Sequence, residues 1–232
     1  MRRLIRAVVG IGWALSAAPG AHAGNQMYEP LSASVQAALN KSISDQATPF
    51  LAFDTEAEAR RWLSAMSQRL AKRMPDRVQR EEFLVTVHYE AKRAGLDPQM
   101  VLGLIQVESN FRKYAVSRAG ARGYMQVMPF WAKLIGTRED NLFHLRTNLR
   151  YGCVILRHYL DIERGNLFRA LGRYNGSLGK AEYPNLVERA WQNWSYPTRA
   201  AQLAPGGDYP SRSTFAGARR SFGAAGPAAA RL

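Results

Sequence analysis

Glu108 closes the run Val-Leu-Gly-Leu-Ile-Gln-Val-Glu over residues 101–108, the only charge in it. Successive helical residues turn by about 100°, so Val101, Leu102, Leu104, Ile105 and Val107 form an apolar stripe with Gly103 and Gln106 opposite. On that wheel Glu108 falls about 20° from the centre of the stripe. A carboxylate on a buried face is desolvated, which favours its neutral form. A helix C-terminus adds negative dipole charge to the same effect. Arg112, at i+4, is the one cation spaced to oppose it. An acid that holds its proton near neutral pH can protonate a departing oxygen, the step that glycoside cleavage requires.

Other chemistry is poorly supplied. The single cysteine, Cys153, lies in an apolar helical stretch and reads as a small buried hydrophobe. His158, five residues on, has the wrong spacing to share its helix face. The four histidines (His22, His88, His144, His158) show no metal-ligand spacing, so neither a metal nor another cofactor is expected. Glu90, Asp97, Glu139, Asp140, Asp161 and Glu163 all stand in polar surroundings, and none reads as a second buried acid.

Downstream of Glu108-Ser109 come Gly123-Tyr124-Met125-Gln126, then Asn148 with Gly152, then Arg173-Tyr174-Asn175-Gly176. In this order the segments resemble the soluble lytic transglycosylases, which cleave bacterial peptidoglycan with a lysozyme-like catalytic domain. Tyr124 stands where the family pattern has Leu, and Arg173 where it has Ala. The resemblance covers about residues 83–196 and implies that Glu108 is the single catalytic acid and then base. It also implies that Ser109, Tyr124, Met125, Gln126, Tyr174 and Asn175 bind the N-acetylated sugars. The family's later Glu-Thr-x-x-Tyr-Val stretch is replaced by Lys-Ala-Glu-Tyr-Pro-Asn-Leu-Val, with Tyr183 and Val187 as approximate counterparts, and the resemblance implies that Tyr183 too binds substrate. One carboxylate suffices if the muramyl 6-hydroxyl attacks C1, because an intramolecular nucleophile needs no second base to activate water.

Helices must position these residues. Residues 54–74 read as an amphipathic helix capped by Asp54 or Thr55, and Pro75-Asp76 ends it. A second helix runs from there to Gly95, and Asp97-Pro98 caps the helix that carries Glu108. Helix is expected again over 121–136, from 147 to Gly165, and from 167 to Gly176. Residues 24–52 show no clear period. No strand pair is predicted, so the expected class is all-α: a lysozyme-like domain at 76–196 behind a partly helical extension at 24–75.

Residues 1–23 have a basic start, an apolar stretch and an Ala-His-Ala ending, the layout of a cleaved secretory signal. They imply an exported protein, periplasmic or wall-associated, with no membrane span after cleavage. Residues 197–232 are rich in Ala, Gly, Pro, Ser and Arg and read as a disordered basic tail. The net charge is +14, falling to roughly +11 without the leader's three arginines, and suits an anionic wall polymer. A hydrolysing muramidase of the same fold is the first alternative. The second is a helix-turn-helix DNA binder at residues 90–109, whose second helix is too apolar to read bases. Export also disfavours nucleic acid, leaving peptidoglycan glycan strands as the expected partner.

Overall fold

The computed structural model describes residues 26–137 and 139–197. The expected leader at 1–23 and the expected tail beyond Pro197 lie outside the described residues. Among the described residues the chain forms eight helices and no strand: α1 Ala33–Ile43, α2 Glu56–Leu70, α3 Arg77–Arg93, α4 Pro98–Ser109, α5 Pro129–Ile135, α6 Leu145–Ile162, α7 Leu167–Asn175 and α8 Glu182–Trp194. The all-α expectation is met.

Local chemistry sets most of these boundaries. Thr55 Oγ1 accepts the Glu58 amide at 3.2 Å and Asp76 Oδ1 the Gln79 amide at 2.7 Å, each a side-chain N-cap. Asp97 Oδ1 accepts the amides of Gln99 and Met100, and Pro98 takes the first helical position, where its missing N–H leaves nothing unsatisfied. At the other end of the series, α7 stops at Gly176 in the left-handed conformation, φ +76°.

The helices pack around one core that runs from Leu39 and Trp62 to Trp194, with α4 at its centre between α3 and α8. Here the wheel needs correcting. Gly103 and Gln106 do not face water, because α8 covers that side. A Cβ on Gly103 would lie 2.6 Å from the Trp191 backbone nitrogen, and Gln106 Oε1 accepts the Trp194 indole N–H at 2.9 Å. Helix α8 was not predicted; it is the element that converts a one-sided helix into a central one.

Two further elements differ from expectation. Residues 24–52, without a visible period, contain α1. It sheds little apolar surface, since only Leu39 is fully buried, but its polar side chains reach α5. Gln36 Nε2 donates to the Leu134 carbonyl and Asn40 Nδ2 to the Ile135 carbonyl at 2.9 Å, satisfying acceptors that the end of α5 leaves open. The helix expected over 121–136 begins only at Pro129. Residues 121–128 instead make a tight turn with isolated bridges Val116–Arg122 and Arg122–Val127. Left-handed backbone at Gly123 (φ +76°) and Gln126 (φ +49°) prevents helix there.

Candidate active site

Glu108 lies in the last turn of α4 and is buried, 4% exposed. Its Oε1 accepts a short hydrogen bond from the Tyr183 hydroxyl of α8. Tyr174 of α7 lies close enough to feel the same charge: burial first, then Glu108, hold the phenols of Tyr174 and Tyr183 well above the usual tyrosine range. Both phenols therefore stay protonated donors. Arg112, the expected counter-ion, has its Nε on the Ser109 carbonyl at 3.0 Å. The chain leaves α4 through Asn110 and Phe111, both with positive φ (49° and 64°). For a bulky residue such as Phe111 that conformation is strained, and its ring's burial against Phe83 and Trp194 holds it.

The remaining motif residues form a frame around this pair. Tyr174 donates to the Met125 carbonyl at 2.8 Å, and Asn148 Oδ1 accepts the Met125 amide at 2.8 Å. The Asn148 amide in turn holds the carbonyls of Arg122 and Leu142, both at 2.8 Å. Gln126 Nε2 donates to the carbonyls of Ala115 and Gly123, locking its own left-handed turn. Met125 is fully buried against α6, where a Cβ on Gly152 would stand 2.4 Å from its Sδ. Ser109 is buried and donates to the Ile105 carbonyl of its own helix. Tyr124 packs on Phe83 at 4.9 Å, and burial pushes its phenol up to about 12. Asn175 is buried at the end of α7. Hydrogen bonds thus join Glu108 to Tyr183, and Tyr174, Met125 and Asn148 to one another, while Gln126 braces its own turn and Ser109 and Tyr124 are occupied elsewhere.

The expectation that Glu90 is surface-like is overturned. Its side chain is 1% exposed. Arg150 Nη2 binds it at 2.9 Å, with Arg93 and Arg146 each at 3.4 Å. Those three guanidiniums also donate to the carbonyls of Ser42, Ile43, Asp45 and Ala47. Glu90 is the anion at the centre of a clamp that fastens the N-terminal segment. Glu163 is likewise buried at its side chain and held by Arg169 and Arg173. For Glu90 a signal is present, since Phe83 and Val87 lie seven and three residues before it on the same helix face; what the sequence hides is the set of cations, because Arg146 and Arg150 come from α6. Gln26, in a stretch with no period to mark it, also reaches the Gln126 turn: its side chain bonds the Gln126 carbonyl and the Met128 amide.

Cys153 is buried and its thiol is pushed well above the usual range by burial, which makes it inert. No cluster of three metal-ligating side chains occurs among the described residues, and no helix among them is long and apolar enough to cross a membrane.

Residues 86–190 match the family described as the transglycosylase SLT domain. A transglycosylase of Enterobacteria phage PRD1 is 34% identical over 98 residues, covering 42% of this chain and 36% of that protein. Membrane-bound lytic murein transglycosylase C of Actinobacillus pleuropneumoniae is 48% identical over 52 residues, 22% of this chain and 14% of its own length. The corresponding protein of Haemophilus influenzae is 42% identical over 55 residues, 24% and 15% of the two chains. The matches therefore span little more than a third of these relatives at most. The matched segment, its motif order and its helical architecture identify residues 86–190 as a transglycosylase SLT domain.

Proposed function

We propose that the chain is a peptidoglycan lytic transglycosylase acting in the cell envelope. It cleaves the β-1,4 bond between N-acetylmuramic acid and N-acetylglucosamine and leaves a 1,6-anhydro end. The observation that carries this reading is Glu108, a buried acid on a tyrosine hydroxyl, inside the segment matched to the SLT family. The name of the murein transglycosylases supports the substrate, and their description as membrane-bound supports the envelope location.

Glu108 donates its proton to the glycosidic oxygen, and the C1–O bond breaks to leave an oxocarbenium-like centre at the muramyl C1. The substrate's own acetamido group shields that centre. The carboxylate, now ionised and steadied by the Tyr183 hydroxyl, takes the proton of the muramyl 6-hydroxyl as its oxygen bonds to C1. Glu108 returns to its acid form and no water is consumed. The arginine clamp on Glu90 supports this economy, since that acid is committed to holding the fold.

The test is digestion of purified sacculi with the wild type and Glu108→Gln. The wild type should release muropeptides about one water lighter than hydrolysis products, with ends that resist borohydride. Glu108→Gln should fold and lose at least 10²-fold in rate. Reducible ends would make the enzyme a hydrolase; full activity in the variant would remove Glu108 from the chemistry.

A further inference from the structure

Gln26 is 3% exposed, although Met27 and Tyr28 beside it are mostly exposed. Its carboxamide is used at both ends. Nε2 donates to the Gln126 carbonyl at 3.3 Å and Oε1 accepts the Met128 amide at 3.2 Å. The same side chain reaches the Tyr174 hydroxyl, the phenol that also feels the charge of Glu108. A primary amide from the chain's own N-terminal segment therefore touches a phenol that feels the charge of the acid.

Behind it the segment is held lightly. Tyr28 meets Phe130 edge-on at 5.8 Å, and Glu29, about half exposed, pairs with Arg173 at 2.9 Å. A backbone carbonyl and a backbone N–H placed to grip one carboxamide suit any amide that offers the same two groups. The N-acyl substituent of an amino sugar offers them: a C=O to accept and an N–H to donate.

We propose that residues 26–29 form a strap in which Gln26 acts as a self-ligand, filling a site for the N-acyl amide of the substrate's sugars, and that the strap swings out before a glycan binds. The inference deepens the function proposed above and rests on it. Apparent affinity is then reduced in proportion to the fraction of molecules with the strap withdrawn. Removing the neutral hydrogen bonds of Gln26 to Gln126, Met128 and Tyr174 from the closed form corresponds to roughly tenfold or more in that fraction.

The experiment uses the full chain and its Gln26→Ala and Tyr28→Ala variants. Calorimetric titration with tri-N-acetylchitotriose, and with the de-N-acetylated trimer as control, is paired with thermal melting. Gln26→Ala should bind the acetylated trimer about tenfold more tightly and Tyr28→Ala about two- to threefold, with no gain for the control. Unchanged or weaker binding by both variants, or no binding of the acetylated trimer by any form, overturns the strap. Weaker binding together with a lower melting temperature in Gln26→Ala would make Gln26 a structural prop instead. Tyr28 is surface-exposed, so its variant decides the matter if Gln26→Ala does not fold. Failure of the wild type to release muropeptides from sacculi would refute the activity separately, since the trimer titration reads binding alone.

Discussion

Replacing Glu90 by Gln tests whether the second buried acid belongs to the fold or to the chemistry. The substitution keeps shape and removes the charge on which Arg150, Arg93 and Arg146 converge. Breaking a buried ion pair from one side costs about 3–5 kcal/mol, because the partner's charge is left uncompensated. Two facts place this case at the lower end. Arg93 and Arg146 keep a quarter or more of their side chains in water, so each pair is screened and contributes little. Asp45 Oδ2, 3.7 Å from Arg150 Nη2, remains as a secondary acceptor. The dominant loss is the Arg150 contact, whose two side chains are 7% and 1% exposed. A destabilisation of about 3 kcal/mol follows, or a melting temperature lower by about 6–12 °C for a domain of this size. Urea titration measures the first, and muropeptide release per folded molecule, at a temperature below both transitions, measures function. Turnover should stay within about twofold of wild type, and Arg150→Met in the same chain should recover part of the stability. A collapse of turnover with stability intact would refute the structural assignment and give Glu90 a catalytic role.

Tyr183→Phe removes the hydroxyl on Glu108, a hydrogen bond to a charged group worth about 1.5–3 kcal/mol, so kcat/KM on sacculi should fall roughly ten- to hundredfold with melting little changed. His88 is stacked on Phe53 at 4.6 Å, and burial, aided by Lys92, holds it at about 4 rather than 6.5. The unfolded chain takes up a proton first as pH falls, so the neutral ring's stabilisation is complete above pH 6.5 and drains away towards pH 4, by about 3 kcal/mol in all. Urea titrations at pH 7 and 4.5 should show a smaller drop for His88→Phe than for wild type. Gly152→Ala sets a methyl 2.4 Å from Met125 Sδ and 2.7 Å from its Cβ, so the residue must move; about 1–3 kcal/mol of stability and most of the turnover should be lost together. Unimpaired turnover in that variant would separate Met125 from the site.

What was legible in the sequence was what rests on neighbours. Capping residues, Pro98 at a helix start and Gly176 at a helix stop act within a few positions, and they placed α2, α3, α4 and α7. The apolar run with Glu108 at its end placed the acid inside. What escaped depends on distant partners. Helix α1 is tied by amide side chains to carbonyls nearly a hundred residues away, and such ties leave no period. Helix α8 was hidden by Pro184 in its first turn and by a mixed pattern, and with it went the surroundings of Gly103. The 121–128 turn looked helical because Gln126 carries no outward mark of its left-handed backbone. Gln26 lies in a stretch with no period, and the arginines that hold Glu90 come partly from α6, so both sites are completed by parts of the chain that meet only in the fold.

The clamp on Glu90 also separates two boundaries that are easily taken as one. The segment recognisable by descent begins at residue 86, inside α3. The carbonyls of Ser42, Ile43, Asp45 and Ala47 nevertheless occupy arginines from α3 and α6, while α1 closes the end of α5. The matched stretch is thus shorter than the packed unit: residues from the thirties and forties of the chain close onto its helices, and truncation at residue 86 should lower the melting temperature.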